Sequence, residues 1–228
     1  AAWKGAAQLA RLRGDVTTAD EWMARAERVR AEFERAFWCE ELGTYALALD
    51  GNKQPCRVRS SNPGHCLFAG IASPERAERV CATLMDDASF AGWGVRTIAA
   101  TERRYNPQSY HNGSIWPHDN ALIAGGLAKY GYTDEARLLL DCMFEASLHF
   151  EHFRLPELFC GFPRREGEAP ARYPVAFSPQ AWAAATVFGM LEACLGLEVS
   201  SIDKVVNLKA PQLPPFVDWL VAFNAETV

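Results

Sequence analysis

Glu157 has the setting that most invites chemistry. It stands in Leu155-Pro156-Glu157-Leu158-Phe159, a lone carboxylate among apolar neighbours. Burial penalises an ionised group, so a carboxylate in such surroundings needs a partner or a purpose. Hydrolysis of a glycosidic bond is one such purpose. It uses two carboxyl groups, one giving a proton to the leaving oxygen and the other acting as base or nucleophile. The competing structural reading makes Glu157 a surface residue paired with Arg154 or Arg164.

A second stretch supplies what a sugar requires. It runs Gly92-Trp93-Gly94-Val95-Arg96-Thr97, then Tyr105-Asn106-Pro107, then Ser109-Tyr110-His111-Asn112-Gly113-Ser114-Ile115-Trp116-Pro117-His118-Asp119-Asn120. Sugars present an apolar ring face and a rim of hydroxyls, which suit flat aromatic surfaces and planar hydrogen-bonding groups. The structural alternative is a loop whose tryptophans plug a helical core and whose Asp119 caps a helix. His65, in Ser61-Asn62-Pro63-Gly64-His65, reads on its own as a capping or core histidine. His149-Phe150-Glu151-His152 suggests a metal, because residues three apart share a helix face. No third ligand is evident, and histidine also suits the negative end of a helix, so the pair is read as structural. Gly125-Gly126 follows no strand and is read as close helix packing rather than a phosphate loop. A Gly-x-Ser-x-Gly element is absent, against an α/β-hydrolase. No metal or cofactor is implied.

The elements that must position these residues are helical. Trp22, Ala26, Val29, Phe33 and Phe37 share one helix face, and Thr18-Ala19-Asp20-Glu21 reads as its capping box. Ala77, Val80, Cys81, Leu84 and Met85 form a second face opened by Ser73-Pro74. A third holds Ala136, Leu139, Leu140, Met143, Phe144 and Leu148, opened by Thr133-Asp134-Glu135. More apolar helices, expected to be buried, lie near 1–12, 64–71, 119–130 and 179–195. Joins from apolar to amphipathic helix are tight; the reverse joins, near 38–62, 87–117 and 152–178, are long and carry Trp, Tyr, Phe and His. The tight turns at Gly14, Ala72 and Gly131 recur at intervals of 58 and 59 residues. Such a period signals repeated hairpins. If the hairpins close into a ring, every long loop falls at one mouth, as in an α/α toroid. Residues 1–196 are expected to form this domain, and 197–228 a tail with one or two strands, near Val199–Leu208 and Phe216–Phe223.

Composition narrows the class. Apolar residues are 49% and charged residues 22% of the chain, ordinary for a globular protein. A net charge of −5 with scattered basic residues disfavours nucleic acid as the main partner. Apolar runs of membrane-spanning length are absent. Seven cysteines, odd in number and without a Cys-x-x-Cys pair, read as buried thiols in a reducing, cytoplasmic setting. The chain starts without Met, in what reads as mid-helix. Six hairpins of this size need about 350 residues, so the chain is expected to be the C-terminal part of a toroid.

The segment Tyr110-His111-Asn112-Gly113-Ser114-Ile115-Trp116-Pro117-His118-Asp119-Asn120-Ala121-Leu122-Ile123 resembles a signature of bacterial amylo-α-1,6-glucosidase-like proteins, relatives of the glucosidase domain of glycogen debranching enzymes. Ser61 to His65, Gly92 to Thr97, Leu155 to Phe162 and Ser178-Pro179-Gln180-Ala181-Trp182 are similar to that family too. The resemblance spans about residues 1–195. It implies an (α/α)6 barrel and inverting hydrolysis of α-glucosidic bonds in an oligo- or polysaccharide. Glu157 matches the family's general base, with Arg154 or Arg164 as nearby cations. His65, Trp93, Arg96, Tyr110, His111, Asn112, Trp116, His118 and Asp119 match its sugar pocket. The family's general acid, an Asp in a Trp-Lys-Asp-Ser type motif, has no counterpart here, since Trp3-Lys4 is followed by Gly5. The acid is expected outside this chain, leaving the isolated chain inactive. Alternatives are a non-catalytic sugar-binding protein on the same fold, a helical-repeat scaffold, and a sugar epimerase using His65, His111 or His118. Exposed helix faces are expected to favour association.

Overall fold

The computed structural model describes residues 1–200 and 204–209. The alternation at Phe216–Phe223 lies outside them. The described residues carry seven α-helices: α1 (Ala2–Leu12), α2 (Val16–Phe37), α3 (Asn62–Ala69), α4 (Pro74–Leu84), α5 (Pro117–Lys129), α6 (Thr133–Ser147) and α7 (Ala181–Leu195). The expected hairpins α1/α2, α3/α4 and α5/α6 are present.

Local chemistry sets the helix ends. Ser73 caps α4, its Oγ accepting the Arg76 N–H at 3.3 Å, with Pro74 following where no N–H is needed. α2 starts earlier than its capping-box pattern suggests. Asp15 accepts the Thr18 N–H at 3.1 Å and caps the helix, so Thr18 to Glu21 lie inside it. Gly70 and Gly196 close α3 and α7 at φ values of 65° and 58°, the left-handed region glycine enters without strain.

α3, α5 and α7 pack side by side, and α6 backs α5 and α7. The α3–α5 approach is backbone to backbone. A Cβ on Gly126 would lie 2.7 Å from both the Gly64 carbonyl oxygen and the Phe68 nitrogen. Leu67, Val80, Leu84, Ile123, Leu127, Leu139, Met143 and Met190 fill the core between the layers. α1 and α7 depart from the expectation that apolar helices are buried. Leu9, Leu12, Trp182, Val187 and Phe188 are exposed. These faces lack a covering element among the described residues, and the buried positions of α1 are the small Ala7 and Ala10.

The three long loops are packed and tied together. Isolated antiparallel bridges run Ser60–Ile98, Arg96–Ile115, Ile115–Phe159 and Phe159–Arg172, so each loop grips the next. The first loop also holds two small ladders, β1 (Trp38–Cys39) with β2 (Thr44–Tyr45) and β3 (Ala48–Leu49) with β4 (Pro55–Cys56). Pairs two residues long leave no alternation to read. β5 (Leu197–Ser200) and β6 (Val205–Leu208) form an antiparallel hairpin after α7. All seven cysteines are free thiols. Among the described residues no helix is long and apolar enough to cross a membrane.

Candidate active site

Glu157 is 4% exposed. Its backbone N–H donates to the Phe177 carbonyl at 2.9 Å, fixing the segment against the chain that leads into α7. Its carboxylate has two donors. The Tyr110 hydroxyl donates to Oε1 at 2.8 Å, and the Phe177 N–H to Oε2 at 3.3 Å. Donors of this kind allow a carboxylate to remain inside the protein. The expected cations are elsewhere. Arg164 pairs with Glu145 and lies 4.4 Å over the Trp93 ring, and Arg154 is exposed.

Tyr110 is itself fixed. Its carbonyl accepts the Ser114 hydroxyl at 2.7 Å and the Trp116 indole N–H at 3.1 Å. Trp116, His111 and Tyr173 meet its ring edge-on at 4.8, 4.7 and 5.7 Å. The hydrogen bond to Glu157, with partial burial and the neighbouring charge, pushes the Tyr110 hydroxyl above its ordinary range.

From Tyr110 an aromatic run continues through Trp116 and His118 to Trp182. His118 meets Trp116 edge-on at 5.6 Å and stacks on Trp182 at 3.9 Å with the rings 7° from parallel. Burial holds His118 below the ordinary histidine value, with Asp119 and Glu157 opposing and His65 reinforcing that shift. Asp119, buried on the first turn of α5, hydrogen-bonds the half-exposed His65 Nε2 of α3. It is thus a partner for His65, whereas Trp116 occupies the cap position of α5.

The His65–Asp119 pair has a pH signature. The Asp119 hydrogen bond and charge raise His65 above 6.5, outweighing desolvation. A histidine raised in the folded state adds stability that is fully present below the unfolded value and is lost as pH rises through the folded one. Asp119→Asn is expected to bring the His65 midpoint down toward 6.5, read from its Cε1–H resonance. An unchanged midpoint would mean that Asp119 does not hold the proton.

His118 and Trp182 also line a groove of about 820 Å³ between α3, α5 and α7. Glu157 does not line it and reaches it through the aromatic run.

Tyr110, His111, Trp116, His118, Asp119 and His65 therefore gather with Glu157 at the joined loops. Two predicted sugar ligands do not. Trp93 is buried against His149 and Arg164 and borders a separate cavity of about 250 Å³. Arg96 is 3% exposed and its guanidinium donates to the carbonyls of Gly161, Asp87 and Ala88. Both act as loop clamps, because the 92–97 turn aims them inward. Asn112 enters through its backbone, its carbonyl accepting the Asn106 N–H at 2.8 Å. Tyr173, Trp182 and Asn120 complete the arrangement. Asn120 is fully buried and braces Val95 through both its N–H and carbonyl, at 2.7 and 3.1 Å. No cluster of three or more His, Cys, Asp or Glu placed for a metal occurs among the described residues.

Comparison with known proteins places the chain in a family. Residues 1–153 match the model of the mannosylglycerate hydrolase MGH1-like glycoside hydrolase domain, a match that stops short of Glu157. A cytosolic neutral trehalase of Pyricularia oryzae is 29% identical over 150 residues, 61% of this chain and 20% of that protein. The mannosylglycerate hydrolase MGH1 of Selaginella moellendorffii is 32% identical over 74 residues, 31% of this chain and 14% of that protein. Among solved structures, a GH63 mannosylglycerate hydrolase from Thermus thermophilus, in complex with Tris and D-glycerate, superposes with a TM-score of 0.62. It is 25% identical, over 80% of this chain and 41% of that one. The fold is accordingly that of the (α/α)6 toroid glycosidases. The chain spans a fifth or less of the curated relatives named here. The expected resemblance holds at the level of the toroid glycosidases; the relatives matched are mannosylglycerate hydrolases and trehalases, and an amylo-α-1,6-glucosidase identity is not shown. With two thirds of its length matched by one model, the chain belongs to the mannosylglycerate hydrolase MGH1-like glycoside hydrolase family.

Proposed function

We propose that the full-length protein hydrolyses an α-glycosidic bond with inversion, and that Glu157 is the general base. One observation carries this: a buried carboxylate, hydrogen-bonded by Tyr110 and Phe177, stands at the end of an aromatic run leading to an open groove. In the reaction Glu157 takes a proton from water as the water oxygen bonds to the anomeric carbon. The glycosidic C–O bond breaks, and the leaving oxygen receives a proton from a carboxylic acid outside residues 1–228. His65, His111, Trp116, His118 and Asp119 form the polar and aromatic wall that receives the sugar. The names of the relatives favour a small glycoside such as mannosylglycerate or trehalose over a glycogen branch, and support a cytosolic location. The tail from residue 197 is proposed as an appendage of the 1–196 domain, and the exposed faces of α1 and α7 as association surfaces.

The test incubates the full-length protein with mannosylglycerate, trehalose and the α-1,6-linked isomaltose, and reads the first-formed anomer by proton NMR. Mannosylglycerate or isomaltose is expected to release the non-reducing-end sugar first as its β-anomer, and trehalose to release α- and β-glucose in equal amounts, because only the attacked carbon inverts. The α-anomer from the non-reducing end, or α-glucose alone from trehalose, overturns inversion. Failure to cleave all three overturns the hydrolase reading in favour of a binding protein.

A further inference from the structure

The base reading leaves open what aims the carboxylate. We infer that Tyr110 is a positioning residue for Glu157: its hydroxyl binds Oε1 so that Oε2 is the oxygen that takes the proton from water. This rests on the proposed role of Glu157 and reassigns Tyr110, which the sequence places among the sugar ligands.

The geometry separates the two oxygens. Oε1 accepts a short, charge-assisted bond from Tyr110 at 2.8 Å, whereas Oε2 accepts a longer one from the Phe177 N–H at 3.3 Å. Each oxygen keeps one free lone pair, and that of the less strongly held oxygen is the more basic, so it suits a general base. Tyr110 has one hydroxyl proton, and that proton is committed to Oε1. Its ring is enclosed edge-on by His111, Trp116 and Tyr173, and its carbonyl is held by Ser114 and Trp116. The ring cannot swing toward a sugar without breaking these contacts, so the side chain serves as a strut. The strut bridges two long loops, since Tyr110 and Glu157 are 47 residues apart. The bridge Ile115–Phe159, in which each N–H reaches the other's carbonyl at 2.9 and 3.0 Å, fixes the loops close to both residues.

The experiment compares Tyr110→Phe with Glu157→Gln in the full-length protein on mannosylglycerate, trehalose and isomaltose. Tyr110→Phe is expected to lower kcat by about 10- to 100-fold, the share of general-base catalysis lost when the base is misaimed, while KM moves less than about threefold. Binding is then read by calorimetry in the inactive Glu157→Gln background. There, adding Tyr110→Phe is expected to leave Kd for mannosylglycerate, or for whichever of the three sugars is cleaved, within about threefold. A Kd weakened tenfold or more makes Tyr110 a sugar ligand and overturns the inference. Wild-type kcat in Tyr110→Phe, with Glu157→Gln inactive, overturns it while leaving the base in place. Full activity in Glu157→Gln, or no turnover of the three sugars by the wild-type protein, overturns the base reading and this inference with it.

Discussion

Glu157→Gln is expected to abolish turnover in the full-length protein, lowering kcat by about 10²- to 10⁴-fold, the usual contribution of a positioned base. Folding should survive. Gln has nearly the shape of Glu, and its carbonyl oxygen can still accept from Tyr110, which donates to Oε1 in the native protein, at the loss of the longer bond from the Phe177 N–H to Oε2. The amide cannot take a proton from water, so the loss falls on the chemical step. Substrate affinity is expected to hold or rise slightly, because the aromatic wall from Trp116 to Trp182 is untouched. Calorimetry on the variant separates these outcomes, and a melting temperature within about 2 °C of wild type shows that the fold is intact. Undiminished kcat would remove Glu157 from the mechanism. A structural role alone predicts a lower melting temperature and no effect on rate.

Much of this arrangement was legible from residue patterns, and the remainder has physical reasons for being hidden. The helical hairpins follow from apolar period and cap residues: Ser73-Pro74 opens α4 where the pattern says. The first cap was misplaced because Asp15 and Thr18 are both good caps, and only the backbone shows which N–H is reached. Glu157 stood out because its neighbours are apolar. Tyr110 was named too, as a sugar ligand, but its bond to Glu157 was not legible, since a bond across 47 residues depends on how two loops cross, and no local pattern encodes that. The same holds for His65 and Asp119, 54 residues apart. Trp93 and Arg96 were expected as ligands from their residue types and from the family resemblance. A turn directs them inward, and types of residue do not report direction. Asn120 carried a usable signal: it lies three and seven positions before Ile123 and Leu127, so a polar side chain sits on the buried stripe of α5 and must be bonded there. Trp182, inside a motif already noted, became a site residue only when α7 was seen to bring its ring onto His118.

The joined loops also predict where a small change should do the most harm to stability. Gly161→Ala is expected to destabilise the protein by about 3 kcal/mol, at the upper end of overpacking costs. At the chain's size that is roughly a 6–12 °C fall in melting temperature. The cause is a backbone approach. A Cβ on Gly161 would fall well inside contact distance of the Gly113 carbonyl oxygen, and backbone cannot rotate away as a side chain can. Gly161 is the point where the two loops meet: its N–H donates to the Pro107 carbonyl at 2.8 Å, and its own carbonyl accepts Arg96 Nε at 2.8 Å and the Tyr105 hydroxyl at 2.9 Å. Separating the backbones strains all three bonds and shifts the loop that carries Tyr110 relative to the segment that carries Glu157. Activity should therefore fall along with stability, even below the melting transition. Gly51→Ala is the control, because a Cβ there meets nothing within 4 Å, and it should leave both melting temperature and rate unchanged. If Gly161→Ala melts with wild type, the two loops are not in the contact that holds Tyr110 against the carboxylate. If it melts low yet keeps full kcat, the loops serve stability and the alignment of Glu157 is set by α5 and α7 instead.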